Sequence, residues 1–518
     1  MKGKWLFIVI SVIAYAPLFA QIKNNGSPFS SCGTDGWYEN ARKDTAFARK
    51  ERQTNEQIRS RIQQKQSLTS GNTSIKSLGI KPKPGGSPFA NIYEVPVVFH
   101  ILSENPEAIT DAMVKAALNE LNDAFAHRGA YGSDPLGVSS DIEFCLAKIA
   151  PDGGNTTGIN RIKSYLEGFD KDLETSRLAE LSDWNHQEYI NIWVVGNIRA
   201  ENPATFFDCG KWNRIGVGGF GGPGFGLVVA GLSGPLLAHE MGHCLTLYHT
   251  FEGQNCVNND CTKDGDLVCD TPPDRSINSS PCNSPENSCR TDTLSGFTKD
   301  QPDNISNFMD YGSPCPSVFT YGQGERMRTF LEIYGGGSLL ASNKCDPPCV
   351  GVPQAEFEYR STPYPKAGEV INFNNLTSGN DPFEWLINGV LIGTTKDINY
   401  TFPVAGVYEL SLRAYNPART CYSTFIAKVN VNCGVEARFS PDKRKVTHSG
   451  SIYSEPVTFT NYSYGGTSFQ WYLTDSTGNN FKPVSSSRDW VYSFPSPGLF
   501  RIKLVATDGT CTDESPIY

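Results

Sequence analysis

The sequence predicts an α/β (α+β) domain followed by two all-β sandwiches. Three observations carry that prediction. Between residues 93 and 230, short apolar runs alternate with a stretch of helical periodicity, the mixture that builds a sheet covered by helices. A histidine-rich segment follows at His239–His249. Beyond residue 350, one pattern of aromatic strands and turns occurs twice, which means tandem modules. At 518 residues, the chain is too long for one core.

Lys2 and Lys4 precede an apolar run from Leu6 to Phe19, then Ala20 and Gln21. That order predicts a secretory signal peptide over residues 1–20. The run is too short for a membrane anchor, and no later stretch is long and apolar enough for a membrane span. The expected protein is secreted and extracellular. Residues 21–90 are polar and poor in aromatics. Ala46 to Lys65 is charged and helix-prone, and Ser67 to Ser87 has linker composition. Together they predict a pro-segment with basic residues for maturation cleavage. The net charge of −9 and the lack of a long basic run argue against nucleic acid as a partner.

In the next region, Val95 to Leu102 reads as a buried strand. Thr110 can cap a helix running to His127, with Met113, Ala117, Leu121 and Phe125 on one face. Further strands are expected at Ile142–Ile149, Tyr189–Val195 and Leu227–Ala230, the last after a glycine-rich stretch at 216–226. The predicted domain spans residues 91–345.

The next segment carries the chemistry. His239 and His243 are four apart on a helix and share a face. His249 supplies a third imidazole nitrogen. Three protein ligands leave a fourth position open, as a catalytic zinc requires. Glu240 beside it is a candidate general base. Only seven histidines occur in the chain, and three fall in this window. The stretch 251–300 is long and irregular. Asp264, Asp266, Asp270, Thr271 and Asp274 crowd oxygen donors there, which predicts calcium, although the spacing is not that of an EF-hand loop. Fifteen cysteines in an exported chain predict disulfides, and the odd count leaves at least one unpaired. Cys256, Cys261, Cys269, Cys282, Cys289 and Cys315 read as staples of the irregular region.

Two similar units are expected at 350–432 and 433–518. Phe383-Glu384-Trp385 recurs as Phe469-Gln470-Trp471, and Tyr400-Thr401-Phe402-Pro403 recurs as Tyr492-Ser493-Phe494-Pro495. Such spaced strands and turns predict Ig-like β-sandwiches, and they resemble PKD-type domains. Such modules suit surface or matrix contact, or spacing.

The region 93–332 resembles the pappalysin family of metzincin metalloproteases. The resemblance rests on His239 to Phe251, on Gly265-Asp266-Leu267-Val268-Cys269-Asp270-Thr271-Pro272, on Asn307-Phe308-Met309-Asp310-Tyr311, and on Phe319-Thr320-Tyr321-Gly322-Gln323 with Arg326-Met327. It implies a zinc endopeptidase acting on protein or peptide substrates. His239, His243 and His249 would hold zinc, and Glu240 would be the base. Tyr311 would stabilise the oxyanion, and Met309 would form the Met-turn floor. The acids Asp264, Asp266 and Asp270, with Thr271, would be calcium-linked. Cys289 with Cys315 is the expected disulfide. Cys32 would hold the zymogen latent as a fourth zinc ligand. Two departures stand out. Thr246 replaces a glycine of the family, and Gly312, Ser313 and Pro314 replace the acids that confer preference for basic residues. A second reading, a catalytically weak or inactive metzincin acting as an adhesive protein, rests on Thr246.

Overall fold

The computed structural model describes residues 42, 45–69, 81–82, 89, 91–163, 168–170, 175–199, 206–207, 211–213, 226–275, 286–311, 316–334, 337–360, 365–379, 382–443, 446, 454–474 and 480–515. The expectations for residues 1–20, for Cys32, for the glycine-rich stretch at 216–225 and for Gly312 to Cys315 fall outside these residues.

The central strand β1 (Asn91–Ser103) explains the unbroken apolar run at 95–102. Side chains alternate across a strand, and here both faces are covered. Val95, Val97, Phe99 and Ile101 enter the main core with the helices. Val98 enters a second cluster and Leu102 a third. β2 (Ile142–Leu146) and β3 (Ile159–Lys163) run parallel to successive stretches of β1. β4 (Ile190–Val195) is also parallel to β1, and β5 (Gly226–Val229) is parallel to β4. The strand Lys211–Asn213 closes this edge antiparallel.

The helix α2 (Asp111–Phe125) starts where expected, with Thr110 Oγ1 accepting the Met113 N–H at 3.3 Å. Its buried face differs from the expected one. It runs through Val114, Ala117, Leu118, Leu121 and Phe125, and Met113 is 44% exposed. A strict four-residue spacing drifts around a 3.6-residue helix, so the stripe follows i, i+3, i+4 instead.

The charged stretch at 46–65 is helical, within α1 (Thr45–Thr69). It packs on the helix Tyr321–Ile333. Ile58 joins the main core, and Lys65 pairs with Glu332 at 2.6 Å. Glu51 accepts from Tyr248 Oη at 2.8 Å and pairs with Arg42 at 3.0 Å.

The two C-terminal units are each a three-stranded and a four-stranded antiparallel sheet. Trp385 and Trp471 occupy matching places, both fully buried. Their indole N–H groups donate to carbonyls ten to sixteen residues on, those of Thr395 and Ser487. A disulfide ties each unit, Cys349–Cys421 and Cys433–Cys511. The first unit is docked on the N-terminal domain. Arg413 Nε meets Asp152 Oδ2 at 2.9 Å, and Tyr422 Oη donates to the Asp152 carbonyl. Asn155 forms a strand-like bridge with Ser423. Ile426 enters the cluster of Val98, Ala147, Ala150, Trp184 and Tyr189. Gly154 is required at this junction, since a Cβ there would lie 2.5 Å from the Tyr422 ring.

Candidate active site

The helix α3 (Gly234–Cys244) follows β5, with Pro at its first turn. Glu120 of α2 accepts the Gly234 N–H at 2.8 Å. Two histidines project from one face of α3. The helix stops in a tight reversal: the Leu247 N–H bonds back to the Gly242 carbonyl, and the Thr246 N–H to that of His243, both at 2.9 Å. This pair of bonds defines a Schellman turn, whose αL position glycine usually fills. Here it is Thr246, at φ 78°. A β-branched residue there costs about 1–2 kcal/mol. Its hydroxyl is also buried without a hydrogen-bond partner among the described residues. Arg326 Nε supports the turn by donating to the Thr246 carbonyl at 3.0 Å.

The reversal brings His249 back over α3. The three Nε2 atoms lie 3.1, 3.0 and 3.3 Å apart. All three rings are buried. The Nδ1 atom of His239 faces the Phe308 carbonyl at 2.6 Å, and that of His243 faces the Leu247 carbonyl at 2.9 Å. A carbonyl only accepts, so these two Nδ1 atoms carry the protons and the Nε2 lone pairs point inward. Burial lowers the His239 pKa to about 4, against the Phe308 carbonyl. Burial, then the neighbouring imidazoles, hold His249 well below its ordinary value. Neutral nitrogens converging this closely suit a cation and fit a zinc ion. Among the described residues, this is the one cluster of three or more His, Cys, Asp or Glu side chains able to share a metal.

Met309 is fully buried under α3. A Cβ at Gly242 would sit 2.5 Å from its sulfur, so glycine at 242 makes room for the methionine. The turn around it is latched to the histidine segment. Thr250 Oγ1 donates to Asp310 Oδ2 at 2.6 Å, and the Thr250 N–H to the Met309 carbonyl. The Tyr311 ring stands edge-on to His249, with centroids 5.0 Å apart, and packs on Phe251. Glu240, next to His239 on α3, is fully buried.

Of the expected calcium donors, Asp264, Asp266, Thr271 and Asp274 line one small cavity, whose lining does not include Asp270. Asp264 accepts the N–H groups of Asn259 and Asp260. Asp266 accepts from the Val268 N–H and the Thr271 hydroxyl. Asp270 accepts from Thr320 Oγ1 and the Gly322 N–H. Asp274 accepts from Ser288 Oγ. Asp264, Asp266 and Asp270 thus each latch a stretch of backbone, and Asp274 holds a serine hydroxyl. Burial pushes the Asp266 pKa up to about 8.

The disulfides correct one expectation. Cys289 pairs with Cys256, not with Cys315. The chain brings the two Cα atoms within 5.4 Å, and one sulfur forms one such bond. The staple therefore holds the irregular loop to the segment just after His249. Cys261–Cys269 closes a smaller loop, and Cys145–Cys345 joins β2 to the end of the domain. Cys244, at the end of α3, is a buried thiol.

Sequence reasoning also missed the supporting groups: the Phe308 and Leu247 carbonyls, the Thr250–Asp310 pair and Arg326. Thr250, Asp310 and Arg326 lie inside the matched motifs, but no spacing rule marks them as supports.

The helix pair of histidines, the third returned by a turn and the methionine floor define a metallopeptidase of the metzincin type. Residues 232–332 match the Peptidase_M43 family, described as pregnancy-associated plasma protein-A. The chain therefore carries a pappalysin-family peptidase domain, and it is a metalloendopeptidase. An extracellular metalloprotease of Aspergillus fumigatus is 28% identical over 258 residues, 45% of this chain and 74% of the relative. One from Sordaria macrospora is 29% identical over 264 residues, 48% of this chain and 79% of the relative. Among solved structures, promirolysin of Tannerella forsythia is 23% identical, with a TM-score of 0.39, covering 57% of this chain and 98% of that chain. No helix among the described residues is long and apolar enough to cross a membrane.

Proposed function

We propose that the protein is a secreted, zymogen-type zinc endopeptidase, with His239, His243 and His249 as the zinc ligands. The convergence of three neutral imidazole nitrogens within 3.3 Å supports this reading most strongly. When bound, zinc supplies Lewis acidity, acidifying water and polarising the scissile carbonyl.

The remaining steps belong to the chain's own residues. Glu240 takes a proton from the attacking water as its oxygen bonds to the peptide carbon. It then gives that proton to the departing nitrogen as the C–N bond breaks. Tyr311 donates a hydrogen bond to the oxyanion formed in between. Its ring packs edge-on against both His249 and Phe251, beside the histidine cluster. Met309 is the apolar floor. The Phe308 and Leu247 carbonyls hold two ligands in the ring orientation that ligation needs.

Residues 21–90 act as the pro-segment, and Cys32 is the residue that would block the histidine site until cleavage. The catalytic unit spans 91–345, and the sandwiches at 350–432 and 433–518 are PKD-like modules for spacing or surface contact. Calcium is the proposed filler at Asp264, Asp266, Asp270 and Thr271, whose carboxylates keep lone pairs beyond those taken by N–H groups.

The test is metal analysis and casein digestion with processed protein, beside Glu240→Ala. One zinc per chain in both, with cleavage abolished only in the variant, is the expected result. Zinc without cleavage in the wild type would favour the adhesive reading. Undiminished cleavage by Glu240→Ala would remove the glutamate from the mechanism.

A further inference from the structure

Thr246 poses a problem that the histidine site has to solve. It sits at φ 78° in the turn between His243 and His249, where a β-branched side chain is strained. The path of the next three residues depends on that turn. The Leu247 carbonyl faces His243 Nδ1 at 2.9 Å and orients that ring, and His249 follows two residues later. A turn relaxing toward an ordinary φ would shift both ligands at once.

One side chain grips the turn at the strained residue. Arg326, from the helix Tyr321–Ile333, donates from Nε to the Thr246 carbonyl at 3.0 Å. Arg326 is 3% exposed, so little water competes for that carbonyl. The guanidinium is itself held on two further sides. Its Nη2 donates to Asn55 Oδ1 of α1 at 2.6 Å, and its central carbon lies 5.4 Å from the centre of the Tyr248 ring. Asn55 Nδ2 closes the circle by donating to Tyr248 Oη at 3.0 Å. The protons in this circle have fixed places. A guanidinium only donates, so Asn55 presents its oxygen to Arg326 and its amino group to Tyr248. The Tyr248 proton then goes to Glu51, whose Oε1 lies at 2.8 Å. A planar, permanently charged fork suits the task of holding a backbone carbonyl and an amide oxygen in set directions.

We propose that Arg326 is a positioning residue for the metal site. It clamps the Thr246 turn so that His243 and His249 stay on zinc, and Asn55 and Tyr248 hold Arg326 in place. This rests on the zinc reading above and deepens it. It gives α1 a task beyond latency, because Asn55 belongs to that helix. It also accounts for threonine at a position that favours glycine: the clamp, rather than the residue's own preference, sets the backbone there.

The experiment uses full-length protein carrying Glu240→Ala, to prevent self-digestion, with zinc affinity read by competition against a chelating indicator. Arg326→Met keeps the bulk and removes the donors. Zinc affinity should fall about 10–100-fold, the usual effect of losing a group that orients a metal ligand. Adding Thr246→Gly should restore most of that loss, because glycine holds a positive φ unaided. Lys65→Met is the control. It breaks the contact of α1 with Glu332, away from the turn, so it should lower the melting temperature and leave zinc affinity alone. Hydrogen exchange of zinc-free protein adds a reading without metal: amides 246–249 should exchange faster in Arg326→Met and not in Lys65→Met. Unchanged zinc affinity in Arg326→Met would overturn the proposal, as would an equal loss in Lys65→Met or no recovery with Thr246→Gly. If Arg326→Met does not fold, Asn55→Ala serves instead. A several-fold loss of zinc affinity is expected there, and unchanged affinity rejects the clamp. A parent that binds no zinc defeats the zinc reading and this one together, whereas zinc held equally by parent and variant defeats only this one.

Discussion

The histidine turn and the acidic loop beside it look alike in sequence, since each crowds metal-binding residue types into a short window. Their structures diverge. Helix geometry sets His239 and His243 on one face, and a single tight turn returns His249, so three nitrogens meet. In the loop, no regular element aims the side chains. Asp264, Asp266 and Asp270 each accept from a different backbone N–H, and Asp274 from the Ser288 hydroxyl. Regular backbone between the donors is what makes the histidine cluster readable from spacing alone, and the loop offers no such frame.

The largest effect expected from breaking this contrast is at His249. His249→Ala removes the ligand that the turn delivers. Zinc affinity should fall on the order of 10³-fold or more and proteolysis should reach background, both read by metal analysis of dialysed protein. Glu240→Gln should come next. It keeps zinc and lowers kcat by roughly 10²–10⁴, measured on a fluorogenic peptide. Asp266→Ala, in the loop, should cost about 2 kcal/mol of stability through the stranded Val268 and Thr271 donors and leave zinc stoichiometry at one. Loss of zinc in that variant would erase the distinction between the two regions.

Acidity sharpens the comparison, because the two regions respond with opposite sign. His239 has a folded pKa of about 4 against about 6.5 unfolded. Its contribution is complete above the unfolded value and is lost as pH falls toward 4. Asp266 has a folded pKa of about 8 against about 3.9 unfolded. Its contribution is complete below pH 4 and is lost as pH rises toward 8. In metal-free protein, hydrogen exchange should show residues 239–249 better protected at pH 8 and residues 264–271 better protected at pH 5. The smallest effect expected is at Thr246. Thr246→Gly relieves the strained αL position but adds backbone freedom to the unfolded chain, a net gain of about 1 kcal/mol. A raised urea midpoint at constant slope would show it.

Much of this architecture was legible in the sequence. The 95–102 run declared a strand covered on both faces, and the paired tryptophan signatures declared two sandwiches. The three histidines declared their cluster because periodicity alone places two of them. What stayed hidden depends on tertiary packing. Cys289 has several partners within reach along the chain, and only the path of the loop brings Cys256 to it. Met113 fits the apolar count for α2 but faces outward, because a neighbouring stripe packs better. The burial of Ile58 and Glu51 in a segment of charged composition could not be foreseen, since their partners lie near residues 248 and 330.

The docking of the first sandwich bears on how this protein can be cut for study. A fragment ending near residue 350 would uncover the patch of Val98, Ala147, Trp184 and Tyr189 that Ile426 now shields. It would also strand Asp152 without Arg413 and invite aggregation in the expression host. Residue 432 is the sounder place for a stop codon, and the smallest manageable enzyme carries one sandwich with it.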